Sequence, residues 1–386
     1  MSVSPARRTV ALSSGLAALI ALAACSTPGA KTTTSQGSGG TGDIKIAVVD
    51  AQSGQNSALG GWEYKGAKLA VDQWNANGGI EGRKIALTLF DDQGDPTVGT
   101  NLASKLAGEG YIAMIGTAES GVTVAMEPTL KAAGIPNITS GQSNALTASG
   151  DPFVFLNGPT STTYDATLAK YVIDTKGLKK IAMITNNGSY GKGEHDAFLA
   201  QLKSRGITPL TDQVVTTSAT DFSAALTTIK QQNPDVVFIG SEEVEAGLIV
   251  KQARSLGITA PFAGSAPQGT PVYVNTAGAA NAENTIVSSP YLSNDTSAAS
   301  KAFAAAYLAA YKTTAELHGA KAYDGTEILL TALKTSNVAT GAKLADAIRA
   351  TRYAGLLGDF AYDKTGVGIF ATKIGIIRNG QLTAIG

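Results

Sequence analysis

Acids stand beside helix starts at two places in the chain, a pattern suited to binding a small zwitterion. In 116–123 (GTAESGVT), Glu119 and Ser120 lie between an apolar run and a helical pattern. A Ser at a helix start satisfies orphan backbone amides, and the same amides at a strand end attract an anion. Glu242 and Glu243 follow the apolar run DVVFIG (235–240) and precede another helical pattern, where the helix dipole favours acids. If Glu119, Glu242 and Glu243 share one desolvated cleft, they repel each other and their pKa values rise until a cation joins them. Gln142 and Ser143 (in TSGQSNALT) occupy a polar loop, and Tyr190 opens a helix after Asn-Asn-Gly-Ser. Glu119, Glu242 and Glu243 are therefore expected at the ligand, which then carries a cationic group and, with it, a carboxylate.

Catalytic and metal chemistry find little support in the same inventory. The single cysteine, Cys25, excludes an intrachain disulfide, and with two His a Cys/His zinc site is excluded too. Asp91 and Asp92 are adjacent, point to opposite faces of a strand and chelate poorly, so no metal is expected. There is no GxSxG, HExxH, GxGxxG or GxxxxGK[ST] pattern. An enzyme and a cofactor are therefore not expected. His195 and His318 lie in helical stretches beside polar neighbours and read as solvated surface residues. Trp74 reads as a core residue of its helix and Trp62 as a residue of the cleft rim. Thirty basic and thirty acidic residues cancel, which argues against a nucleic-acid partner.

The elements that must position these residues alternate. A chain of 386 residues, 44% apolar and 16% charged, is globular and long enough for two domains. Strands are predicted at 44–49, 84–90, 112–116 and 136–139, separated by helices; Ala67, Ala70, Val71 and Trp74 mark one buried helix face. The pattern restarts with strands at 180–185, 207–215, 235–240 and 261–264 and helices at 163–175, 190–205, 222–231 and 246–256. Ala-rich helices follow at 298–312, 321–335 and 342–350, and two strands close the chain near 358–362 and 369–377. This is an α/β chain with two consecutive parallel-sheet units, about 44–158 and 161–288. Ligands of such sheets sit beyond the carboxyl ends of the strands, and the loops there are rich in Ser, Thr, Asn, Gln and Gly.

The amino terminus reads as an export signal. Arg7 and Arg8 precede an apolar stretch over 10–24, too short to span a bilayer comfortably, which needs about 20 apolar residues. It ends in Leu22-Ala23-Ala24-Cys25, which resembles a bacterial lipobox and implies lipid on Cys25 after cleavage of 1–24. Residues 25–43 are mostly Thr, Ser and Gly and read as a flexible tether. The expected location is extracytoplasmic, anchored to the cell membrane by that lipid.

The run IKIAVVDAQSGQNSALGGWEYKGAKLAVDQWNANGGIEGRKIALTLFDDQGDP, with ATDFSAALTTIKQQNPDVVFIG, KQARSLGI and YDGTEILLTALK later, resembles the leucine/isoleucine/valine-binding proteins of ABC importers. These are type I periplasmic-type binding proteins. The resemblance implies two doubly wound parallel-sheet lobes joined by a three-strand hinge: 44–158 plus 290–357, and 159–289 plus 358–386. It implies that Ser120, Gln142 and Ser143 hold an amino-acid carboxylate and that Tyr190 closes over it. The family's side-chain aromatics fall at Leu59, Glu242 and Glu243, its ammonium-binding acid near Ala266, and its paired cysteines at Gly94 and Glu119. The function implied is capture of an amino acid or related polar solute by a monomer that serves ABC permease subunits. A ligand-sensing ectodomain is the rival reading. Such a sensor continues into a transmembrane helix and a cytoplasmic domain, and no such run follows here, so transport is expected.

Overall fold

The computed structural model describes residues 42–292, 294–369 and 371–385. The leader, Cys25 and nearly all of the tether lie outside the described residues. The body begins with strand β1 (Ile44–Val49), apolar at every position except Lys45. Side chains alternate across a strand, so an unbroken apolar run marks a strand covered on both faces. Ile44, Ile46 and Val48 face one core with residues of the helices Ser57–Ala76 and Leu317–Thr335. Ala47 and Val49 face another core, with Leu106 of the helix Pro96–Glu109 and Met126 of the helix Ser120–Ala133. Each fully buried aliphatic side chain contributes about 1.5–3 kcal/mol.

Four further strands complete this sheet: β2 (Ile85–Phe90), β3 (Ala113–Ile115), β4 (Asn137–Thr139) and β5 (Val154–Leu156). Their order is β2-β1-β3-β4-β5, all parallel. The helix Pro96–Glu109 shows how local chemistry sets an element. The Asp95 carboxylate accepts from the amides of Thr97 and Val98, Pro96 supplies a preset φ, and Gly110 ends the helix in the left-handed region at φ 77°.

The second sheet repeats the design with β6 (Ile181–Asn186), β7 (Thr211–Val215), β8 (Val236–Gly240), β9 (Phe262–Gly264) and β10 (Ile286–Ser289). Three strands, β11 (Arg352–Gly355), β12 (Gly358–Tyr362) and β13 (Gly368–Ile369), form a small separate sheet. Strands β14 (Lys373–Arg378) and β15 (Gln381–Ala384) then join the second sheet antiparallel, giving the order β15-β14-β10-β9-β8-β6-β7. The chain passes between the lobes three times: after β5, after β10 and after β13. This is the expected α/β fold of two doubly wound lobes joined by a three-strand hinge.

Several expectations are corrected. Strand β7 begins at Thr211 rather than 207, and the helix from Ser161 continues past Ala169 as a π-helical turn, Lys170–Thr175. The helix after β8 begins at Glu243, not 246. Strands β12 and β13 were expected in the second lobe, yet Phe360 and Tyr362 pack in the first core, with the Tyr362 ring 5.1 Å from that of Phe155. These aromatic side chains find their buried surface there, so the crossing between lobes comes after β13. Trp74 is only partly buried; it packs at the edge of the first core and donates to Glu327 at 2.9 Å. Among the described residues, no helix is long and apolar enough to cross a membrane.

One close approach fixes the frame around the site. A Cβ added to Gly66 would strike the carbonyl group of Gly319. The helices Ser57–Ala76 and Leu317–Thr335 therefore pack backbone to backbone, and only Gly fits.

Candidate functional site

The carboxyl ends of the strands of both sheets border one cavity of about 420 Å³, part of it open to solvent. The first lobe supplies Leu59, Ala118, Glu119, Ser120, Ser140 and Gln142, and the second supplies Tyr190, Glu242, Glu243, Ala266 and Pro267. Leu317, His318 and Lys321, from the start of the helix Leu317–Thr335, complete the lining.

Ser120 opens its helix directly after the β3 loop and lines the cavity, and the first amides of a helix have no partner within it. Its Oγ accepts from the Gln142 and Ser143 amides at 3.3 and 3.2 Å. Gln142 reaches across the cleft: its Nε2 donates to Ser265 Oγ at 2.8 Å and to Glu194 Oε1 at 3.1 Å. The Tyr190 hydroxyl is 2.9 Å from the same Ser265 Oγ. Ser143 sits behind the cavity wall rather than in it, and its Oγ donates to the Ser189 carbonyl at 2.9 Å. Six of the expected binding residues therefore line the cavity, while Ser143 ties the lobes together beside it.

The second-lobe end is acidic. Glu243 is 1% exposed, and neither of its carboxylate oxygens has a hydrogen-bond partner. Burial raises its pKa, and the nearby His318 offsets only part of that rise. Glu242 caps the same helix and accepts from Asn186 Nδ2. Burial, then repulsion from Glu245, pushes its pKa up to about 8. Across the cleft, burial and then Asp92 push Glu119 up to about 7.

The cations nearby already have partners. Lys321, 1% exposed, donates to the Ser140 carbonyl. Burial lowers its pKa to about 8, with Glu63 the first of the acids that hold its charge. His318 was expected at the surface and is instead buried. Its Nδ1 lies 3.1 Å from Glu316 Oε2, its Nε2 lies 3.5 Å from Glu243 Oε1, and its ring stacks on Trp62 with centroids 6.3 Å apart. Burial opposes its charged form, but Glu316 and then Glu243 more than compensate, so its pKa is raised. The correction has a physical reason: two carboxylates and an indole face make a buried imidazolium affordable. The other histidine, His195, is only partly exposed and lies between Asp196 and Asp212 at 3.0 and 2.8 Å. His318, Lys321 and Glu63 escaped sequence reasoning, although His318 and Lys321 fall three apart in a largely apolar helix, a spacing that puts both on one face.

Asp91 serves loop satisfaction as expected, accepting from Gln52 N and Ser53 Oγ at 2.8 and 2.7 Å. Among the described residues, no group of acids, His or Cys is arranged to hold a metal ion.

A polar cleft between two such lobes, bordered by the carboxyl ends of both sheets, is the setting of a binding protein for a small solute. The model of the periplasmic binding protein family matches residues 43–380. The chain belongs to that family, in its type I, leucine/isoleucine/valine-binding branch. A relative from Rhizobium johnstonii, the Leu/Ile/Val-binding protein BraC3, is 32% identical over 304 residues, covering 78% of this chain and 82% of the relative. The branched-chain amino acid transporter substrate-binding protein LivJ of Streptococcus pneumoniae, solved with isoleucine, superposes with a TM-score of 0.83 at 28% identity, covering 89% of this chain and 99% of LivJ. A solute-binding protein of R. palustris, solved with benzoate, reaches the same TM-score of 0.83 at 22% identity, a likeness of fold alone, over 89% of this chain and 96% of that one. The chain is thus a solute-binding protein of the ABC-importer type, extracytoplasmic by family, and not an enzyme.

Proposed function

We propose that this protein captures an amino acid in the inter-lobe cleft and delivers it to ABC permease subunits while tethered to the membrane by lipid on Cys25. The observation that carries the reading is the polarity of the cavity. Ser120 and the first turn of its helix offer donors for a carboxylate, and Glu243 offers two buried oxygens without hydrogen-bond partners for an ammonium. Glu119, Gln142, Tyr190 and Glu242 frame the ligand between these ends, and Ser143 supports closure. We take the lobes as 44–158 plus 290–369 and 159–289 plus 373–386, the protein as a monomer, and ligand binding as the event that holds them together.

The test is a thermal-shift screen of the purified protein over amino acids, amides, urea and polyamines, followed by calorimetry. A ligand bound only by the native state at 100 times its Kd adds about 2.7 kcal/mol of stability. Amino acids are expected to raise the melting temperature, and Glu243→Gln to remove most of that rise. Stabilisation by another solute class and by no amino acid would sink the proposal.

A further inference from the structure

We infer that the cleft selects an amino acid whose side chain is itself cationic, with Glu243 receiving the α-ammonium group and Glu119 with Glu242 receiving the side-chain charge. The inference rests on the amino-acid reading above and adds the chemical class of the side chain.

The first argument is a balance of charge. Of the cations lining the cavity, His318 is bound to Glu316, and Lys321 is held by Ser140 and faces Glu63. Among the described residues Glu119 and Glu242 have no ion-pair partner, and Glu243 has only the His318 ring, 3.5 Å away and shared with Glu316. A neutral amino acid is a zwitterion and brings no net charge, so its carboxylate at Ser120 would cancel what its ammonium supplies. A basic amino acid brings one more positive charge, and it can place that charge away from the first.

The second argument is where the space continues. A neighbouring cavity of about 620 Å³ shares Glu119 and Glu242 with the main one, so these carboxylates form the border between the two. Beyond the border the lining includes Asn56 and Glu245. Asn56 Oδ1 is buried without a hydrogen-bond partner. Glu119, Glu242 and Asn56 Oδ1 together present acceptors, which suits the N–H-rich head of an ammonium or guanidinium group, while Glu245, whose oxygens accept from Asn186 and Ser218, adds negative charge behind them. In the main cavity Leu59, Ala118 and Pro267 offer apolar wall that a methylene stem covers well.

The experiment compares charged ligands with uncharged isosteres by calorimetry on the purified protein: L-arginine against L-citrulline, and L-lysine against L-norleucine. The charged member of each pair is expected to bind at least about 30-fold more tightly, the lower bound for losing one partner of a buried charge pair. Glu119→Gln and Glu242→Gln are expected to shrink that ratio towards unity. Glu243→Gln is expected to weaken every amino acid tested. Equal or tighter binding of citrulline and norleucine by the unsubstituted protein would overturn this inference and leave the amino-acid reading standing. Binding of no amino acid at all would take down both. The unsubstituted protein decides the matter even if a variant fails to fold, and the melting temperature of each variant without ligand identifies that case.

Discussion

Replacing Glu242 by Gln separates what the site costs the fold from what it does for the ligand. Glu242 keeps a pKa pushed up to about 8 from the ordinary 4.5, first by burial and then by Glu245. A shift of that size corresponds to roughly 4–5 kcal/mol between the two protonation states. The side chain keeps some solvent contact and shares its repulsion with a neighbour, so one substitution recovers a smaller part, about 2 kcal/mol. The sign follows from linkage. A carboxyl group whose folded pKa lies above its unfolded value stabilises fully below about 4.5, and that stability is lost as pH rises through about 8. Gln cannot ionise and keeps the acceptor that Asn186 uses. Scanning calorimetry without ligand should show Glu242→Gln matching the unsubstituted protein near pH 4.5. By pH 8.5 it should exceed it by about 2 kcal/mol, or roughly 4 °C. The same variant should bind a cationic ligand more weakly. A gain that does not depend on pH, or a loss of stability at pH 8.5, would refute the electrostatic account of the cleft.

Gly66→Ala should destabilise the first lobe by about 1–3 kcal/mol, since the added methyl overpacks the crossing at Gly319; unchanged denaturant midpoints would contradict that packing. Cationic ligands should release protons on binding near neutral pH, because Glu119 at about 7 and Glu242 at about 8 are partly protonated beforehand and a cation lowers both. Affinity should then rise from pH 6 to pH 9, and the binding heat should vary with the ionisation enthalpy of the buffer; a flat profile would count against ionised partners. Cys25→Ala should shift the protein from the membrane fraction to a soluble or uncleaved form, and acyl mass persisting at the amino terminus of that variant would refute lipidation at Cys25.

The lobes were readable because central strands are almost continuously apolar runs, as in IKIAVV and DVVFIG, and helices repeat a buried face at 3.6 residues. Glu119, Ser120, Glu242 and Glu243 were readable because they follow such strands directly, where open parallel sheets gather their ligands. Ser143 was half legible: its loop is right, but only the fold shows its hydroxyl turned to the Ser189 carbonyl. His318 and Lys321 were not read as site residues, since they reach the cleft from a helix far along the chain, and Glu63 acts there only through the charge of Lys321. Charge patterns in a helix do not tell solvent from a buried neighbour of opposite sign. The placement of β12 and β13 was missed because short strands carry too few side chains to declare which core they join.

The loop at 140–144 joins the lobes through Gln142 and Ser143, whereas the proposal gives the variable end of the ligand to Glu119 and Glu242. Reading of the ligand's variable end and latching through Ser143 would thus fall to different side chains. A lineage of such receptors can exchange its cargo by drift at the acidic border while the strut across the hinge is inherited intact. The same separation gives protein engineers a reporter whose output stage is constant: a fluorescent pair placed across the strut would register occupancy through one mechanism, whatever solute the border were rebuilt to accept.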